Sequence, residues 1–363
     1  MKQIETISSW QLACIFLAFL TGSAIINIPA PMVEVAQNAA WLSLIFAIGL
    51  GIILLLCALF IYQSTGESFL GYSKKAIGKW FTLCITIPII LLLILILAFI
   101  IIDIGGFFTN ALMRETPTYV FHTLILLLAA MTARSGIEPM ARMFVWLIFA
   151  MVSFSIGILL LAIPFYHVEH LFPIMPDGIM PFLHGIYRAF SFPYAELILF
   201  SLLLPFISKK DKHPLKKIMI ITLCVHGTLI LIPIIASIMA YGPIAGTVKF
   251  SVFNIARLIN IRDAIERIES VIGLALIVGS YMKASIMLFI LKELLSDVLN
   301  LENKRIIIFP ISFLILLLSL IMFDHETEFA EAVFITWPLF INSVVVLPFL
   351  FITLLAFFKK KRT

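Results

Sequence analysis

The chain has 363 residues, of which 62% are hydrophobic and 12% are charged, and it carries a formal net charge of +5. Soluble domains carry about 25% charged residues, and a chain this apolar could not cover its surface in water. The composition therefore excludes a soluble domain and predicts an integral membrane protein. No nucleic-acid-binding motif accompanies the positive charge, so we expect no nucleic-acid partner and assign the basic residues to membrane orientation.

Long apolar runs predict membrane-spanning helices, because a helix needs about 20 apolar residues to cross the bilayer. The run I-I-L-L-L-I-L-I-L-A-F-I-I-I at residues 89–102 does not alternate between polar and apolar positions. Helices are therefore favoured over the strands of a membrane β-barrel. We predict an all-α membrane protein with ten spans, which cover residues 8–36, 40–63, 80–103, 117–133, 139–163, 181–207, 215–240, 265–295, 305–323 and 329–358.

The basic residues are unevenly distributed between the loops. If the N-terminus lies in the cytoplasm, most of the 25 lysines and arginines fall on the cytoplasmic side, including the basic tail at 359–363. The positive-inside rule then predicts that both termini are cytoplasmic. No hydrophilic domain is evident, so we predict one membrane domain over residues 1–363. The longest polar stretch, residues 241–264, falls outside, and its segment at 251–259 is predicted to form a short helix.

Two spans are interrupted near their centres. Span 6 reads A-F-S-F-P-Y-A-E at residues 189–196, where Pro193 lacks an N–H group and Ser191 can bond locally to the backbone. Span 1 reads T-G-S-A-I-I-N-I-P at residues 21–29, where Thr21, Gly22 and Ser23 are small, polar or helix-weakening residues in the middle of the span. An unpaired backbone group in hydrocarbon costs several kcal/mol, so such breaks are tolerated only inside protein or beside a cavity.

The two breaks occupy corresponding positions if the ten spans form two sets of five. The predicted repeats cover about residues 1–165 and 166–358, and an odd number of spans inverts the second repeat relative to the first. Paired interruptions in two halves are the best sequence pointer to a transporter-like binding site. The alternative is a simple kink at Pro193 together with a close-packing face at Gly22 and Ser23.

Two ionisable residues lie near the centres of spans. Glu196 is in span 6 and Lys283 is in span 8. Because a charge at the bilayer centre costs roughly 2.5–3.5 kcal/mol on insertion scales, each should face protein or water, or pair. One interpretation assigns both to coupling or to an ion site, with Glu196 as a proton site or a counter-charge and Lys283 as a fixed or titrating cation. The alternatives are a structural ion pair and separate groups that reach the interface.

Five other polar residues are expected to have structural roles. Arg188 should lie in the outer half of span 6 and reach towards the interface. Asp103 and Glu269 lie near outer ends of spans, where a solvated helix end is favoured over a gate role. His122 and His226 lie in apolar runs and are interpreted as packed core residues.

No catalytic motif occurs in the sequence. There is no HExxH, P-loop or GxSxG pattern, and the four cysteines are scattered in apolar segments without a CxxC or Cys/His cluster. We therefore predict that the chain is not an enzyme, with no catalytic residue, no cofactor and no metal site.

Six segments, taken in their order and spacing, resemble the spore germination B-subunit family, the permease component of nutrient germinant receptors. The resemblance runs over essentially the whole chain. It is carried by I-S-S-W-Q-L at 7–12, G-S-A-I-I-N-I-P at 22–29, A-A-W-L-S at 39–43, R-S-G-I-E-P-M-A-R at 134–142, L-F-P-I-M-P-D-G-I-M-P-F-L-H-G at 171–185 and F-S-F-P-Y-A-E at 190–196.

This resemblance implies a fold, partners and a location. The fold would be the LeuT-like inverted five-plus-five fold of the amino acid–polyamine–organocation superfamily. The partners would be the A and C subunits of a germinant receptor in the spore inner membrane or the cell membrane. The B subunit would bind a small nutrient such as an amino acid, a sugar or a nucleoside.

The resemblance also implies a ligand site at the two breaks and on span 8. Lys283 would occupy the place of a sodium ion in related transporters, and Ala195 stands where the family pattern F-x-Y-G-E has glycine, which would narrow the pocket. The implied ligand-binding residues are Thr21, Gly22, Ser23, Ala24, Ser191, Tyr194, Ala195, Glu196, Ser280 and Lys283.

Three functional hypotheses follow. The first is a receptor subunit that binds a nutrient and signals to partner subunits. The second is a proton-coupled amino-acid symporter that acts alone, with Glu196 or Lys283 coupling proton movement to transport. The third is a structural membrane scaffold, in which neither residue would affect the nutrient response.

Overall fold

The computed structural model describes residues 5–259 and 268–360, and within these ranges nearly every residue is helical. The first half contains α1 (Ser9–Thr21), α2 (Ala24–Asn27), α3 (Pro29–Ala36), α4 (Ala40–Thr65), α5 (Phe69–Ala76), α6 (Lys79–Phe107), α7 (Thr118–Ser135) and α8 (Ile137–Leu161). The second half contains α9 (Ile179–Ala189), α10 (Leu197–Phe200), α11 (Leu215–Tyr241), α12 (Ser251–Leu258), α13 (Glu269–Leu299), α14 (Ile308–Ile321), α15 (Glu326–Glu331), α16 (Trp337–Ile341) and α17 (Leu347–Lys360).

The helices confirm the predicted all-α membrane architecture. Within the described ranges, nine helical segments are long and apolar enough to cross a membrane, and α14 is a tenth, shorter apolar helix of 14 residues. The predicted short helix at 251–259 is present as α12, and it packs on α13 and α11. The predicted start of span 8 at residue 265 lies outside the described residues, as do the end of the basic tail and part of the stretch at 241–264.

Connections between spans alternate between two faces of the helix bundle. The basic face carries the connections at 66–78, 135–136, 207–214 and 300–307, and it includes the lysine-rich run K-K-D-K-H-P-L-K-K at 209–217. The cavity face carries the connections at 37–39, 113–117, 162–178, 242–250 and 322–325.

The two interrupted spans lie at the centre of the bundle. The segment α1 packs against α8, α11 and α13, and α9 packs against α3 and α4. Along α13 the residues from Met282 to Leu291 are all buried. Polar groups on these helices are therefore shielded from lipid by other helices, as intramembrane charges require.

The chain just before α1 closes the basic face. Ser8 caps α1 in a capping box with Gln11, which fixes where the helix begins. Ile7 pairs with the end of span 6: its N–H donates to the Phe206 carbonyl at 3.0 Å, and the Ser208 N–H donates to the Ile7 carbonyl at 3.0 Å. These bonds join the two interrupted spans to each other on this face.

Two carboxylates strengthen this closure. The Ile137 N–H at the start of α8 donates to Glu5 Oε2 at 2.7 Å, and Arg305 approaches Glu5 Oε1 at 3.5 Å. The Ser9 N–H donates to Asp211 Oδ2. A carboxylate at a helix N-terminus accepts from free N–H groups and interacts favourably with the helix dipole. The basic face is thus sealed by backbone bonds and by capped helix ends.

Candidate ligand-binding site

The break in span 1 lies between α1 and α2, at Gly22 and Ser23. A Cβ added at Gly22 would lie 3.0 Å from Cβ and Cδ of Lys283, and a Cβ added at Gly279 would lie 2.2 Å from the Gly22 carbonyl oxygen. Two glycines are therefore required for the backbones of span 1 and α13 to approach this closely. The close approach places Lys283 directly beside the break.

The break in span 6 lies between α9 and α10. Phe192 has an extended backbone (φ −139°, ψ 117°) within a π-turn over Phe190–Tyr194, and the Ala195 N–H donates to the Phe190 carbonyl at 2.7 Å. Ser191 Oγ donates to the Tyr187 carbonyl at 2.9 Å, which is the local bonding that the sequence predicted.

A third span also supports this break. Asn342 lies in a π-turn of the last span, Asn342–Val346, and its Nδ2 donates to Ser191 Oγ at 2.9 Å and to the Pro338 carbonyl at 2.7 Å. Side-chain hydrogen bonds thus cap the Tyr187 and Pro338 carbonyls and join the two irregular segments inside the bundle. This satisfies the condition under which irregular backbone is stable at membrane depth.

Glu196 and Lys283 form a direct ion pair. Lys283 Nζ lies 2.6 Å from Glu196 Oε2, and the two side chains are 1% and 2% exposed. The ammonium also lies 4.4 Å from the ring centroid of Phe192 and 5.8 Å from that of Phe19, within the range of cation–π attraction. The sequence left pairing open as one of several interpretations, and the structure shows that the two residues pair.

A cavity of about 780 Å³ leads from the cavity face down to this ion pair. Its volume falls in the range of small-molecule sites, about 300–1,000 Å³. Most of its walls are aromatic or aliphatic, with Phe99, Phe107, Phe250, Phe334 and Trp337 among them. Its lining also includes buried or half-buried polar side chains, among them those of Ser23, Asn27, Asp103, His122, Glu196 and Lys283.

Ion pairs join side chains around the mouth of the cavity. Lys249, beside α12, lies 2.6 Å from Glu326 at the start of the last span, and both side chains are exposed. Arg188 lies 3.8 Å from Glu34 and 5.2 Å from the Phe334 ring centroid. These long side chains partly bridge the opening without filling it.

The structure brings the ten predicted site residues together but places them in two layers. Ser23, Glu196 and Lys283 line the cavity. The other seven are buried behind its lining: Thr21, Gly22, Ala24, Ser191, Tyr194, Ala195 and Ser280. Ala195 therefore does not narrow the cavity directly in this conformation. Ligand contact by any of the ten stays a prediction.

The layer behind the lining has polar contacts of its own. Thr21 Oγ1 and His226 Nδ1 lie within hydrogen-bond distance at 3.3 Å, and the His226 ring packs against that of Tyr194 with centroids 5.6 Å apart. The phenol oxygen of Tyr194 and the hydroxyl of Ser280 are buried without a hydrogen-bond partner. His226 is thus a packed core residue, as the sequence suggested.

Several cavity residues were not assigned to the site from sequence. Asn27, in the broken span, donates from Nδ2 to Asp103 Oδ2. His122 is 2% exposed and lines the cavity, and its Nδ1 lies 3.0 Å from Ser319 Oγ. Asp103 lines the cavity wall, whereas the sequence favoured a solvated helix end. The available signal was the position of Asp103 as the first acidic residue after the long apolar run of α6.

The composition of the cavity is that of a site for a small molecule rather than for a metal ion. Within the described residues, no three histidine, cysteine, aspartate or glutamate side chains are grouped so that they could hold a metal ion. The cavity combines an apolar wall with a few oriented polar groups at its inner end, which is the usual composition of a small-molecule site.

The fold built by these helices is that of a class of membrane transporters. The chain superimposes on MhsT in complex with L-phenylalanine with a TM-score of 0.66, covering 94% of this chain and 89% of that one at 13% identity. It superimposes on a mutant Eremococcus coleocola manganese transporter with a TM-score of 0.68, covering 96% and 82% at 12% identity. These similarities confirm the predicted LeuT-like fold, in which the interrupted spans are the first of each inverted repeat.

The chain belongs to the spore germination protein family, also called spore permeases, which it matches over residues 6–327. It is 25% identical to spore germination protein KB of Bacillus subtilis (strain 168) over 362 residues, 98% of this chain and 96% of that protein. It is 26% identical to spore germination protein XB of Bacillus anthracis over 301 residues, 81% and 82% of the two chains. Membership supports a multi-pass membrane protein of the germinant-receptor B type and confirms that the chain is not an enzyme.

Proposed function

We propose that the chain is the nutrient-binding membrane subunit of a spore germinant receptor, and that the nutrient binds in the cavity between the interrupted spans. The observation that carries this proposal is the shape of the cavity. It is open to one face, it has the volume of a small-molecule site, and it ends at both backbone breaks and at the Glu196–Lys283 pair. Family membership supports the link to germination.

Binding would act by shifting an equilibrium between two conformations. The cavity face is open while the basic face is sealed by the pairing of Ile7 with span 6. A small nutrient that contacts both interrupted spans binds better when they close around it. It would therefore favour a state in which the cavity face is closed, in proportion to its difference in affinity for the two states.

We assign the basic face to the cytoplasm and place the protein in the spore inner membrane. The concentration of lysines at 209–217 supports this orientation under the positive-inside rule. The A and C subunits of the receptor would then respond to the conformational change. The assignment predicts that nutrient enters from the non-cytoplasmic side.

The test is a substitution that fills the inner end of the cavity. Ser23→Phe places a ring at the lining residue next to the break, and we expect spores that carry the variant with its A and C subunits to lose the nutrient response. The matched control is Ser153→Phe, since Ser153 is exposed on α8 among residues that face away from the core. Nutrient-triggered loss of heat resistance measures the response. An unchanged response in Ser23→Phe spores with normal protein levels would refute the site.

A stand-alone proton-coupled symporter is the second candidate. The observation that favours it is the buried Glu196–Lys283 pair, since intramembrane ionisable groups are common in proton relays. Uptake of labelled amino acids into proteoliposomes, with and without a pH gradient, separates the two functions. Gradient-driven uptake by the chain alone would establish transport, whereas binding without uptake would support the receptor.

A further inference from the structure

Asp103 places a carboxylate on the wall of the cavity. Among the described residues, this carboxylate is not part of an ion pair. Its side chain is partly exposed to the cavity, and the Asn27 Nδ2–H group donates to its Oδ2. Because Asn27 belongs to the interrupted span 1 and Asp103 belongs to α6, the hydrogen bond fixes the carboxylate beside the break.

The basic residues of the cavity are already paired with other acids. Lys283 pairs with Glu196, Lys249 pairs with Glu326, and Arg188 pairs with Glu34. Among the described residues, no lysine or arginine forms an ion pair with Asp103. In the part of the chain that the structure describes, the inner cavity therefore carries one carboxylate that has no ion-pair partner, and burial of such a charge is costly.

The surroundings of Asp103 fit an organic cation better than a metal ion. Metal ions need several oxygen or nitrogen ligands around them, and Asn27 turns its N–H donor, rather than its carbonyl oxygen, towards the carboxylate. The nearby walls are aromatic, with Phe99, Phe107 and Trp337 among them. Aromatic faces attract ammonium groups and at the same time cover an apolar side chain.

We propose that Asp103 binds a protonated amine of the ligand and thereby determines its chemical class. The inference rests on the proposed function, since it concerns the same cavity. The ligand's ammonium group lies against the Asp103 carboxylate, with its carbon skeleton along the aromatic wall. A sugar or a nucleoside, which carries no such cation, leaves the carboxylate unpaired and binds poorly.

The test compares ligands that differ only in the amine. The purified receptor complex is titrated with a panel of L-amino acids, with the deaminated carboxylic acid of each binder, and with D-glucose, inosine and MnCl₂. We expect an amino acid to bind and its deaminated analogue to bind at least roughly tenfold more weakly. Asp103→Asn should lower the affinity for the amino acid roughly 10- to 100-fold and leave that for the deaminated analogue unchanged.

Two further variants separate this role from a structural one. Asp103→Glu retains the charge and should bind the amino acid better than Asp103→Asn does. Asp177→Asn is the matched control, because Asp177 also accepts a hydrogen bond from an amide, that of Gln37, on the cavity face but outside the cavity. This variant should bind like the unmodified chain.

Each other outcome has a defined meaning. Equal losses for the amino acid and its deaminated analogue in Asp103→Asn would make Asp103 a structural residue and overturn the proposal. Binding of glucose or inosine in place of any amine would overturn it while the nutrient-sensing function stands, and binding of Mn²⁺ alone would overturn both. If no member of the panel binds, the proposed function fails and the assignment of Asp103 fails with it.

Discussion

The two faces of the helix bundle are closed by different kinds of contact. On the basic face, Ile7 forms backbone hydrogen bonds to Phe206 and Ser208, and Glu5 caps α8. On the cavity face, the mouth is bridged by side chains that are largely exposed, such as the Lys249–Glu326 pair. Exposed ion pairs contribute about 0–1 kcal/mol, less than buried hydrogen bonds and helix caps together. The difference indicates that the cavity face opens and closes at low cost, while opening of the basic face requires a larger rearrangement.

The largest effect is expected where the cavity ends between the two faces, at Glu196 and Lys283. Glu196→Gln or Lys283→Met leaves a buried charge without its partner, and each should destabilise the protein by about 3–5 kcal/mol. The double variant should be less destabilised than the sum of the two, because no lone charge remains. Thermal unfolding in detergent measures the effect.

The control for these single and double substitutions is Glu138→Gln. Glu138 and Arg142 form an exposed pair at 2.5 Å on α8, so its loss should change stability by no more than about 0.5 kcal/mol. Strictly additive effects of Glu196→Gln and Lys283→Met would contradict the coupling of the buried pair.

The closure of the basic face can be tested with a pair of glycines. Gly136 (φ 111°, ψ 174°) and Gly78 (φ 88°, ψ 167°) both precede a helix in a backbone region that favours glycine. A Cβ at Gly136 would lie 2.2 Å from Glu5 Oε2, whereas a Cβ at Gly78 meets nothing within 4 Å. Gly136→Ala should therefore cost about 2–3 kcal/mol and Gly78→Ala about 1 kcal/mol.

Hydrogen exchange shows where the difference arises. Gly136→Ala should speed exchange at residues 5–9, which close the basic face, and Gly78→Ala should leave those amides protected. Equal exchange in the two variants would mean that Glu5 does not hold this segment in place.

A smaller effect is expected at Asp211, which joins span 1 to the connection after span 6. The N–H groups of Ser9 and His213 donate to its carboxylate and hold the pKa of Asp211 below its usual value. A carboxyl whose pKa is lowered by folding stabilises the protein above its unfolded pKa, and that contribution is lost as the pH falls through the folded pKa. Asn has only one acceptor oxygen, so Asp211→Asn loses one of these two hydrogen bonds together with the interaction of the charge with the N-terminus of α1, and it should cost roughly 0.5–1 kcal/mol at pH 7.

The pH dependence provides the control for this substitution. The difference in melting temperature between the unmodified chain and Asp211→Asn should shrink below about pH 4, where the carboxyl becomes protonated. A difference that stays constant from pH 7 to pH 3 would show that the charge of Asp211 plays no part.

The smallest effect is expected at the mouth of the cavity. Lys249→Met removes an exposed ion pair and should change stability by no more than about 0.5 kcal/mol, an effect that salt should abolish. Thermal unfolding at low and high salt measures it, with the double variant Lys249→Met/Glu326→Gln as the reference. A loss as large as that of Gly136→Ala would show that the two faces are closed with similar strength.

Much of the fold could be predicted because the bilayer dictates long apolar runs. The ten spans follow from hydropathy. The two breaks follow from residues such as Gly22 and Pro193, which weaken any helix. The ends of one span differ from the prediction: the ninth predicted span, 305–323, contains only α14, because residues 304–307 form turns. Helix ends depend on capping and packing contacts that hydropathy does not report.

The site was predicted less completely than the fold. The sequence singled out Glu196 and Lys283 as intramembrane charges but did not establish that they pair, since pairing depends on how span 6 and α13 are rotated. It also did not assign Asp103, His122 or Asn342 to the site or its support. A polar residue on an apolar helix becomes part of a cavity only through the neighbours that tertiary packing brings to it.

The close approach of Gly22 and Gly279 has a mechanical consequence. Since no side chain lies between the two backbones, a displacement of the break in span 1 pushes directly on α13. That helix is 31 residues long, about 45 Å, and its far end carries Glu293 and Asp297, which bind Lys304 on the basic face. Because α13 is a continuous helix that is held both beside the break and at its far end, its movement can transmit a conformational change from the cavity to the basic face on the opposite side of the membrane.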